Sequence, residues 1–517
     1  MMAQTNRSIP TSSPAAPASS HTRLIQVVEA LVRRTSREPW GVRELAAELS
    51  ESRSTINRIL ASLVEIDLAS EAGLGKYSVG PRIDVLTRAL SDSSVLLGRS
   101  GELLGVLADA SKYTALLSVY CPRSRGYFIA ACSEANATLT FRPQLGVVYP
   151  LSFGDIGREF TKYLDTTESR STPLEEKGDV DYIFRTDDAL GQLSESEFPS
   201  AVSISVGSTA NGLVFSVSLH SAGYSYPMVQ QPLDTEVQRV IELIIADAES
   251  KYAQTIQAYS CVSVKDDKST VNRLERLLLL ACAFPAGLMT SAHVHDHLLC
   301  NAATAKRLIQ SAVEAELVIV SESTLFAGPR LYQWAARMNT AHRNLADITK
   351  KLLSSLVQET GETIALLSFD EMTEKAEFLD VIQGWRPIQY KLQVHVDVPL
   401  YAGAAGKAVL AHCDPRLVDT LNLVKITDAT ITSREALKEE LLTTKRRGWA
   451  TGEGERVLGA FGLAVPFFVD GKIRGSISAT IPQYRKDERD LPTLINLMRI
   501  TTGKIERLLS LGIKAEQ

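Results

Sequence analysis

Val42 to Leu68, VRELAAELSESRSTINRILASLVEIDL, reads as two amphipathic helices with a tight break between them. The first places Val42, Leu45, Ala46 and Leu49 at helical spacing, with Arg43 on its outer side. Ser50-Glu51-Ser52 is the break. The second helix begins near Arg53 and repeats apolar residues at Ile56, Ile59, Leu60, Leu63 and Val64, the period of a one-sided helix. Its other face offers Arg53, Ser54, Thr55, Asn57 and Arg58. These side chains bond phosphates and base edges, and they stand at the helix start, where a recognition helix meets the major groove. Ala69 to Val79, ASEAGLGKYSV, reads as two short strands around a Gly-Leu-Gly turn, a wing on which Lys76 reaches toward phosphate. A small helical domain could carry an amphipathic pair alone. The turn, the polar helix face and the wing together predict a winged helix-turn-helix that binds double-stranded DNA.

The chain around this stretch has 517 residues, enough for three or four domains. Hydrophobic content of 45% and charged content of 22% fit soluble globular domains. The net charge is −5, so any nucleic-acid contact must be a local basic patch. Cys121, Cys132, Cys261, Cys282, Cys300 and Cys413 show no CxxC pairing, which suits free thiols in a reducing cytoplasm. No apolar run reaches transmembrane length, and no membrane association is expected. Residues 1–20, rich in Ser, Pro, Ala and Thr, read as a disordered leader rather than a secretory signal.

A helix over His21 to Arg34 precedes the pair, with Leu24, Ile25, Val28, Leu31 and Val32 inward. After the wing, Gly80-Pro81-Arg82 leads into a helical stretch from Ile83 to Leu107, either one helix or two, whose stripe suits pairing with another copy of itself. Ala115 to Tyr120, Tyr127 to Cys132 and Leu139 to Arg142 read as strands, and Tyr149 to Gly157 as a turn entering a helix. A polar region runs from Thr166 to Glu197. A hairpin crosses Asn211-Gly212, and a helix spans Leu233 to Ala253. This is an α+β domain on an antiparallel sheet.

The chain then begins again. Asn272-Arg273-Leu274 repeats Thr22-Arg23-Leu24, Gly328-Pro329-Arg330 repeats Gly80-Pro81-Arg82, and Val398-Pro399-Leu400 with Gly406 repeats Tyr149-Pro150-Leu151 with Gly157, at offsets of 250, 248 and 249 residues. Asp470-Gly471 stands where Asn211-Gly212 stood, at an offset of 259, so the first copy lacks some residues there. Such offsets predict a tandem duplication of one two-domain unit. The expected divisions are a winged helix-turn-helix over 21–82, an effector domain over 83–258, a linker over 259–269, a second winged module over 270–330 and a second effector domain over 331–517.

The run VPLYAGAAGKAVLA from Val398 to Ala411 resembles the "PLHATALGKALLA" segment of the IclR (isocitrate lyase regulator) family of bacterial transcription factors. Ile431-Thr432 with Lys445-Arg446-Arg447-Gly448-Trp449-Ala450 is similar to that family's "ITD…EELEEIRRRGYA", and Glu455 to Pro466 to its "ELxxGVxxIAAPV". Tyr77-Ser78-Val79-Gly80-Pro81-Arg82 is similar to "YxLGPR". The resemblance implies an α+β chain with a winged helix-turn-helix and a GAF-like effector domain. It also implies a small organic effector, often a carboxylate or aromatic catabolite, and dimers or tetramers on palindromic operators. The family has one such unit per chain, whereas this chain reads as two.

The second winged module reads as eroded. Its recognition helix, Asn301 to Ile309, has Ala302 and Lys306 where Arg53 and Asn57 stand, but keeps Thr304, Lys306 and Arg307 for backbone contact. Its wing carries Glu322 and no base, which repels phosphate. It is either a less base-specific reader or a structural module. His293, His297 and Cys300 have a spacing that a metal site would want, but an ordinary amphipathic helix explains them, and no metal is expected.

In the second effector domain, a helix starting near Gly403 offers free N–H groups, an anion seat around Tyr401, Gly403, Ala404, Ala405 and Gly406. Alternatively, Gly403 and Gly406 only let the helix pack tightly. Lys407 either adds charge there or points to solvent. Ser476, Ser478 and Thr480 put three hydroxyls on one face of a strand, lining the pocket or facing water. Glu455 and Phe461 are pocket-edge residues by resemblance. In the first effector domain Asp155 would put negative charge in the corresponding seat and disfavour a carboxylate. No GxSxG, HExxH or phosphate loop occurs, so neither catalytic residues nor a cofactor are expected. The reading is a ligand-responsive transcriptional regulator, and a homo-oligomer. Its rival is a metabolite-binding sensor or scaffold with vestigial DNA binding.

Overall fold

The computed structural model describes residues 19–34, 38–134, 136, 140–168, 198–221, 233–254, 259–261, 269–285, 287–289, 295–321, 323–339, 345–388, 390–511 and 513–515. The first winged module comprises α1 (Ser20–Arg33), β1 (Trp40–Gly41), α2 (Val42–Glu48), α3 (Arg53–Glu65), β2 (Ala69–Glu71) and β3 (Lys76–Val79). Ser52 begins α3 because its hydroxyl accepts the Thr55 N–H, one of the donors a helix start leaves unpaired. Ile56, Leu60 and Leu63 are fully buried under α1 and α2. Trp40 closes the core and donates its indole N–H to Ala30 O at 2.8 Å.

Of the two readings of Ile83 to Leu107, one helix or two, the structure follows the second. The stretch forms α4 (Pro81–Ser93), a π-helical turn (Val95–Arg99) and α5 (Ser100–Ser111), with Ser94 extended between. Ser91 and Ser93 turn their hydroxyls back onto Thr87 O and Ala89 O, which competes with the helical ladder. Next come β4 (Thr114–Cys121), β5 (Gly126–Ser133), β6 (Val148–Pro150), α6 (Gly154–Glu168), β7 (Ala201–Ser208), β8 (Val214–His220) and α7 (Leu233–Gln254). The sheet order is β6-β5-β4-β8-β7, antiparallel throughout. The expected strand over Leu139 to Arg142 is replaced by β6: residues 140–142 are not in a strand, and Leu139 lies outside the described residues. The leader up to residue 18 and most of the polar region, 169–197, also lie outside them.

Part of the expected linker forms β9 (Tyr259–Cys261), which pairs with a strand at the chain end, Ile513–Ala515. There follow α8 (Thr270–Ala283), β10 (Leu288–Met289), α9 (His295–Leu298), α10 (Ala302–Glu314), β11 (Val318–Ser321) and β12 (Thr324–Ala327), a module whose sheet order, β10-β12-β11, matches β1-β3-β2 of the first. His293 and Glu322 lie outside the described residues.

The last domain contains α11 (Pro329–Asn339), α12 (Leu345–Thr360), β13 (Thr363–Asp370), β14 (Lys375–Ile382), α13 (Ala404–Leu410), α14 (Leu417–Thr420), α15 (Arg434–Arg447), β15 (Ala450–Glu453), β16 (Ala460–Val469), β17 (Lys472–Pro482), α16 (Leu491–Leu509) and the terminal β18 (Ile513–Ala515). Its sheet order is β14-β13-β17-β16-β15. Both large sheets share the four-strand path, and the fifth strand sits on opposite edges. Where β6 would recur, Asp397 makes one bridge to Glu377.

The module from α8 to β12 packs on the first winged module. α4 lies against α8 and α11, and α1 against α10. One hydrophobic core runs through both modules and the first sheet, including Leu31, Leu90, Leu277 and Trp334.

Candidate nucleic-acid interface and ligand cleft

Burial of Ile56, Leu60 and Leu63 turns the opposite face of α3 outward. Arg53, Ser54, Asn57 and Arg58 are exposed there, and Thr55 is half-buried. Ser54 and Thr55 keep their hydroxyls on Ser52 Oγ at 2.9 and 2.8 Å, as part of the cap. Arg43 on α2 and Lys76 at the start of β3 are exposed on the same module. Among the described residues none of Arg43, Arg53, Arg58 and Lys76 has a carboxylate within ion-pair distance, whereas Arg23, Arg33 and Arg34 are each paired with a glutamate. The wing tip carries Leu74 fully exposed.

On α10, Asn301 caps the helix by accepting the Thr304 N–H at 2.9 Å. Lys306 and Arg307 are exposed, and Thr304 is half-buried. Arg307 Nε donates to Ala303 O at 3.4 Å.

The cleft of the last domain lies between the start of α13 and the sheet. Gly403 precedes that helix at φ +81°. Ala402, Gly403, Ala404 and Ala405 form one wall; Gly452, Ala460, Gly462, Ser478 and Thr480 form the floor; Phe378, Leu392, Glu455 and Arg456 close the mouth. The free space is about 50 Å³. Small residues on β15 and β16 allow the approach: a Cβ at Gly452 would lie 2.7 Å from Ala404 N.

Glu455 occupies the expected anion seat. One oxygen accepts the Gly403 N–H at 2.9 Å, and the other accepts from Lys407 Nζ at 2.6 Å. Lys407 therefore neither serves a ligand nor points to solvent; it is 1% exposed and committed to Glu455. Gly406 is there for packing, since a Cβ would lie 2.3 Å from Pro399 O.

The remaining expected site residues divide. Ser478 lines the cleft with Ala404 and Ala405. Ser476 instead donates to Ala405 O at 3.0 Å and ties α13 to the sheet. Tyr401 Oη donates to Val424 O at 3.0 Å and holds a neighbouring loop. Phe461 turns to the opposite face of the sheet, in the core shared with α12 and α16, because its neighbours Ala460 and Gly462 take the cleft side. Sequence reasoning missed Arg456. Its guanidinium lies 5.0 Å over the Phe378 ring, no carboxylate among the described residues pairs with it, and burial lowers its pKa. A basic residue beside a glycine-rich turn was the available signal.

In the domain built on β4 to β8, the space at the start of α6 is filled. Phe198 and Tyr127 stand against Gly154, and Phe141, Tyr149, Phe153 and His220 pack around Phe198. Asp155 does not project into a seat. Burial would raise its carboxyl pKa, but the Ala201 N–H at 2.8 Å and Arg158 at 2.6 Å outweigh that and hold it low.

Comparison with known proteins adds two matches. Residues 20–72 match the IclR helix-turn-helix domain, and residues 338–507 match the bacterial transcriptional regulator IclR C-terminal domain. Two separate stretches of the chain are thus similar to the two domains of IclR regulators. The transcriptional repressor IclR of Escherichia coli (strain K12) is 32% identical over 130 residues, 24% of this chain and 47% of that one. The acetate operon repressor of Salmonella typhimurium is 27% identical over 177 residues, 34% of this chain and 60% of that one. The chain thus spans about half the length of these curated relatives. A solved structure, a putative IclR transcriptional regulator from a Silicibacter species, is 24% identical and is aligned over 47% of this chain and 96% of its own, with a TM-score of 0.38. The first IclR match covers the exposed basic face of α2 and α3, and the second covers the whole cleft around α13. Among the described residues no group of His, Cys, Asp and Glu could hold a metal ion, and no helix is long and apolar enough to cross a membrane.

Proposed function

We propose that the chain is a ligand-responsive transcriptional regulator that reads operator DNA through α3 and its wing and senses a small organic effector in the cleft at α13. The observation that carries this reading is the exposed set Arg43, Arg53, Asn57, Arg58 and Lys76, whose cations have no carboxylate partner among the described residues. On a chain of net charge −5, basic groups left unneutralised on one face serve phosphate contact. The names of the relatives, both repressors, support it.

The chain is a tandem duplication, winged module and effector domain over 21–258 and again over 270–517. The recurrence of sheet order supports this, and so does Gly-Pro-Arg at both module exits. A Cβ at Gly80 would lie 2.1 Å from Asp67 O, and one at Gly328 would lie 2.2 Å from Glu316 O. One chain then presents two unequal readers, α3 rich in base-reading groups and α10 with Lys306 and Arg307 for phosphate, so its half-sites are unequal. Two such chains would form a higher oligomer.

The effector is an anion. Arg456 at the mouth supplies the charge, with Ser478 and Thr480 for orientation. A volume of about 50 Å³ holds a few waters at most, so the segment bearing Leu392 opens to admit it.

The test is selection of random duplexes by the full chain and by Arg53→Ala and Arg58→Ala. An asymmetric enriched motif that both variants lose is the expected result. Absence of enrichment would overturn the regulator reading in favour of a sensor.

A further inference from the structure

A cavity of about 370 Å³ lies away from the α13 cleft, where three parts of the chain meet. One wall is the break after α4, at Ser94, Val95 and Leu96. The second is the β7–β8 hairpin, with Asn211 and Leu213, beside Glu249 on α7. The third is the second winged module and its exit helix, with Phe326 and Tyr332. Ligand pockets for drug-sized molecules run from about 300 to 1,000 Å³, a range this cavity meets and the α13 cleft does not.

The lining chemistry narrows the occupant. Val95, Leu96, Leu213, Phe326 and Tyr332 form an apolar, partly aromatic surface. Among the described residues the lining includes one carboxylate, Glu249, which is exposed at the rim, and no Lys, Arg or His. An anion would meet repulsion from that carboxylate, with no cation among the described lining residues to offset it. Ser94 Oγ donates to Tyr332 Oη at 3.4 Å, the long limit of a hydrogen bond, so both hydroxyls remain able to serve a ligand. Burial pushes the Tyr332 phenol up to about 12, so it stays a donor.

The placement gives an occupant leverage. π-Helical turns are frequent at functional sites, and this one, Val95–Arg99, joins the first winged module to its sheet. Ser93 on the same break also sets its hydroxyl 2.8 Å from Cys282 O of the second module, sharing its proton between that carbonyl and Ala89 O. A molecule seated here touches the joint of one half and the winged module of the other.

We propose that this cavity is a second small-molecule site, for a neutral or cationic aromatic compound, whose occupant holds the second winged module against the first effector domain. The proposal stands on the cavity and does not require the anion reading of the α13 cleft.

The experiment titrates the full chain with the neutral probe N-phenyl-1-naphthylamine and follows its fluorescence. Saturable binding is expected. Leu213→Trp, which fills the interior, and Ala210→Trp, on the exposed hairpin turn at the mouth, should each weaken it at least tenfold, while Arg456→Ala leaves it unchanged. Ala210 lies at an exposed turn, so that variant decides if Leu213→Trp does not fold. Hydrogen exchange of the saturated complex should show added protection at 93–99 and 318–327. Absence of saturable binding, equal binding by a folded Ala210→Trp chain, or protection confined to 402–410 would overturn the proposal.

Discussion

Arg82 and Glu275 join the two winged modules, with Nε 2.7 Å from Oε1. Arg82 stands at the exit of the first module and Glu275 on the first helix of the second. The same guanidinium donates to Leu508 O at 2.9 Å and Ser510 O at 2.7 Å, so it also fixes the end of α16. Arg330, at the exit of the second module, crosses the other way to Glu29 on α1 at 3.5 Å. Each module is anchored on the first helix of the other, and the planar fork of arginine sets the orientation.

Arg82→Ala should destabilise the chain by about 3 kcal/mol, because it removes the partner of a partly buried carboxylate and its bonds to two carbonyls. Arg82→Lys should recover less than half, since an ammonium cannot reach all three acceptors from one plane. Urea unfolding of the full chain measures both. An alanine variant as stable as the parent would mean that apolar packing alone holds the modules together.

The helix pair and wing were legible because their signals are local: apolar period, a Ser cap, a Gly-Leu-Gly tip. The break at Ser94 was less so, because the apolar stripe continues across it while Ser91 and Ser93 bond to the backbone. The strand misplaced onto Leu139 to Arg142 fails for a tertiary reason. Pairing of Tyr127 with Tyr149 selects Val148–Pro150, and nothing near that segment announces it. The seat at Gly403 was legible, but its occupant was not, since Glu455 lies 52 residues away. Phe461 shows a parity that could have been read: Ala460, Gly462 and Ala464 alternate with Phe461, Leu463 and Val465, and only the small set lets a helix approach.

Removing one phosphate-binding cation should reduce the salt dependence of DNA binding, by about 0.9 in the slope of log K against log salt. Lys76→Ala should therefore weaken binding to all duplexes alike and flatten that slope. Asn57→Ala should leave the slope intact and relax sequence preference at one position, since an amide reads a base edge. Titrations of a selected duplex and a scrambled one, at several salt concentrations, separate the two. Equal behaviour of the two variants would remove α3 from the groove.

Arg456 separates an anion site from a merely small cavity. Benzoate should raise the melting temperature of the parent chain, and Arg456→Ala should abolish most of that rise, while benzamide, of the same shape without the charge, should do little to either. Gly452→Val should also block the response, because its Cβ and methyls meet the Ala404 N–H and push α13 off the sheet. A benzoate response that survives Arg456→Ala would place the anion elsewhere.

His220 makes stability fall in acid. Its ring is buried on β8, with Nδ1 2.9 Å from Pro199 O and Nε2 3.0 Å from Ser218 Oγ, so the neutral tautomer that donates from Nδ1 is satisfied on both sides. Burial lowers its pKa, and the Pro199 carbonyl and Asp155 offset only part of that. His21, facing Arg307 and Arg273, and His412, facing Lys445, shift the same way, burial again being the first cause. Above pH 6.5 all three rings are neutral folded or unfolded, and their contribution is whole. As pH falls below that value, the unfolded chain binds protons before the folded one, and stability drains until the folded pKa values are reached. Melting temperatures of the full chain should therefore drop between about pH 7 and pH 5, and His220→Gln, whose amide can still donate to Pro199 O, should show a shallower drop than the parent. A parallel pH profile for that variant would assign the acid sensitivity to other groups.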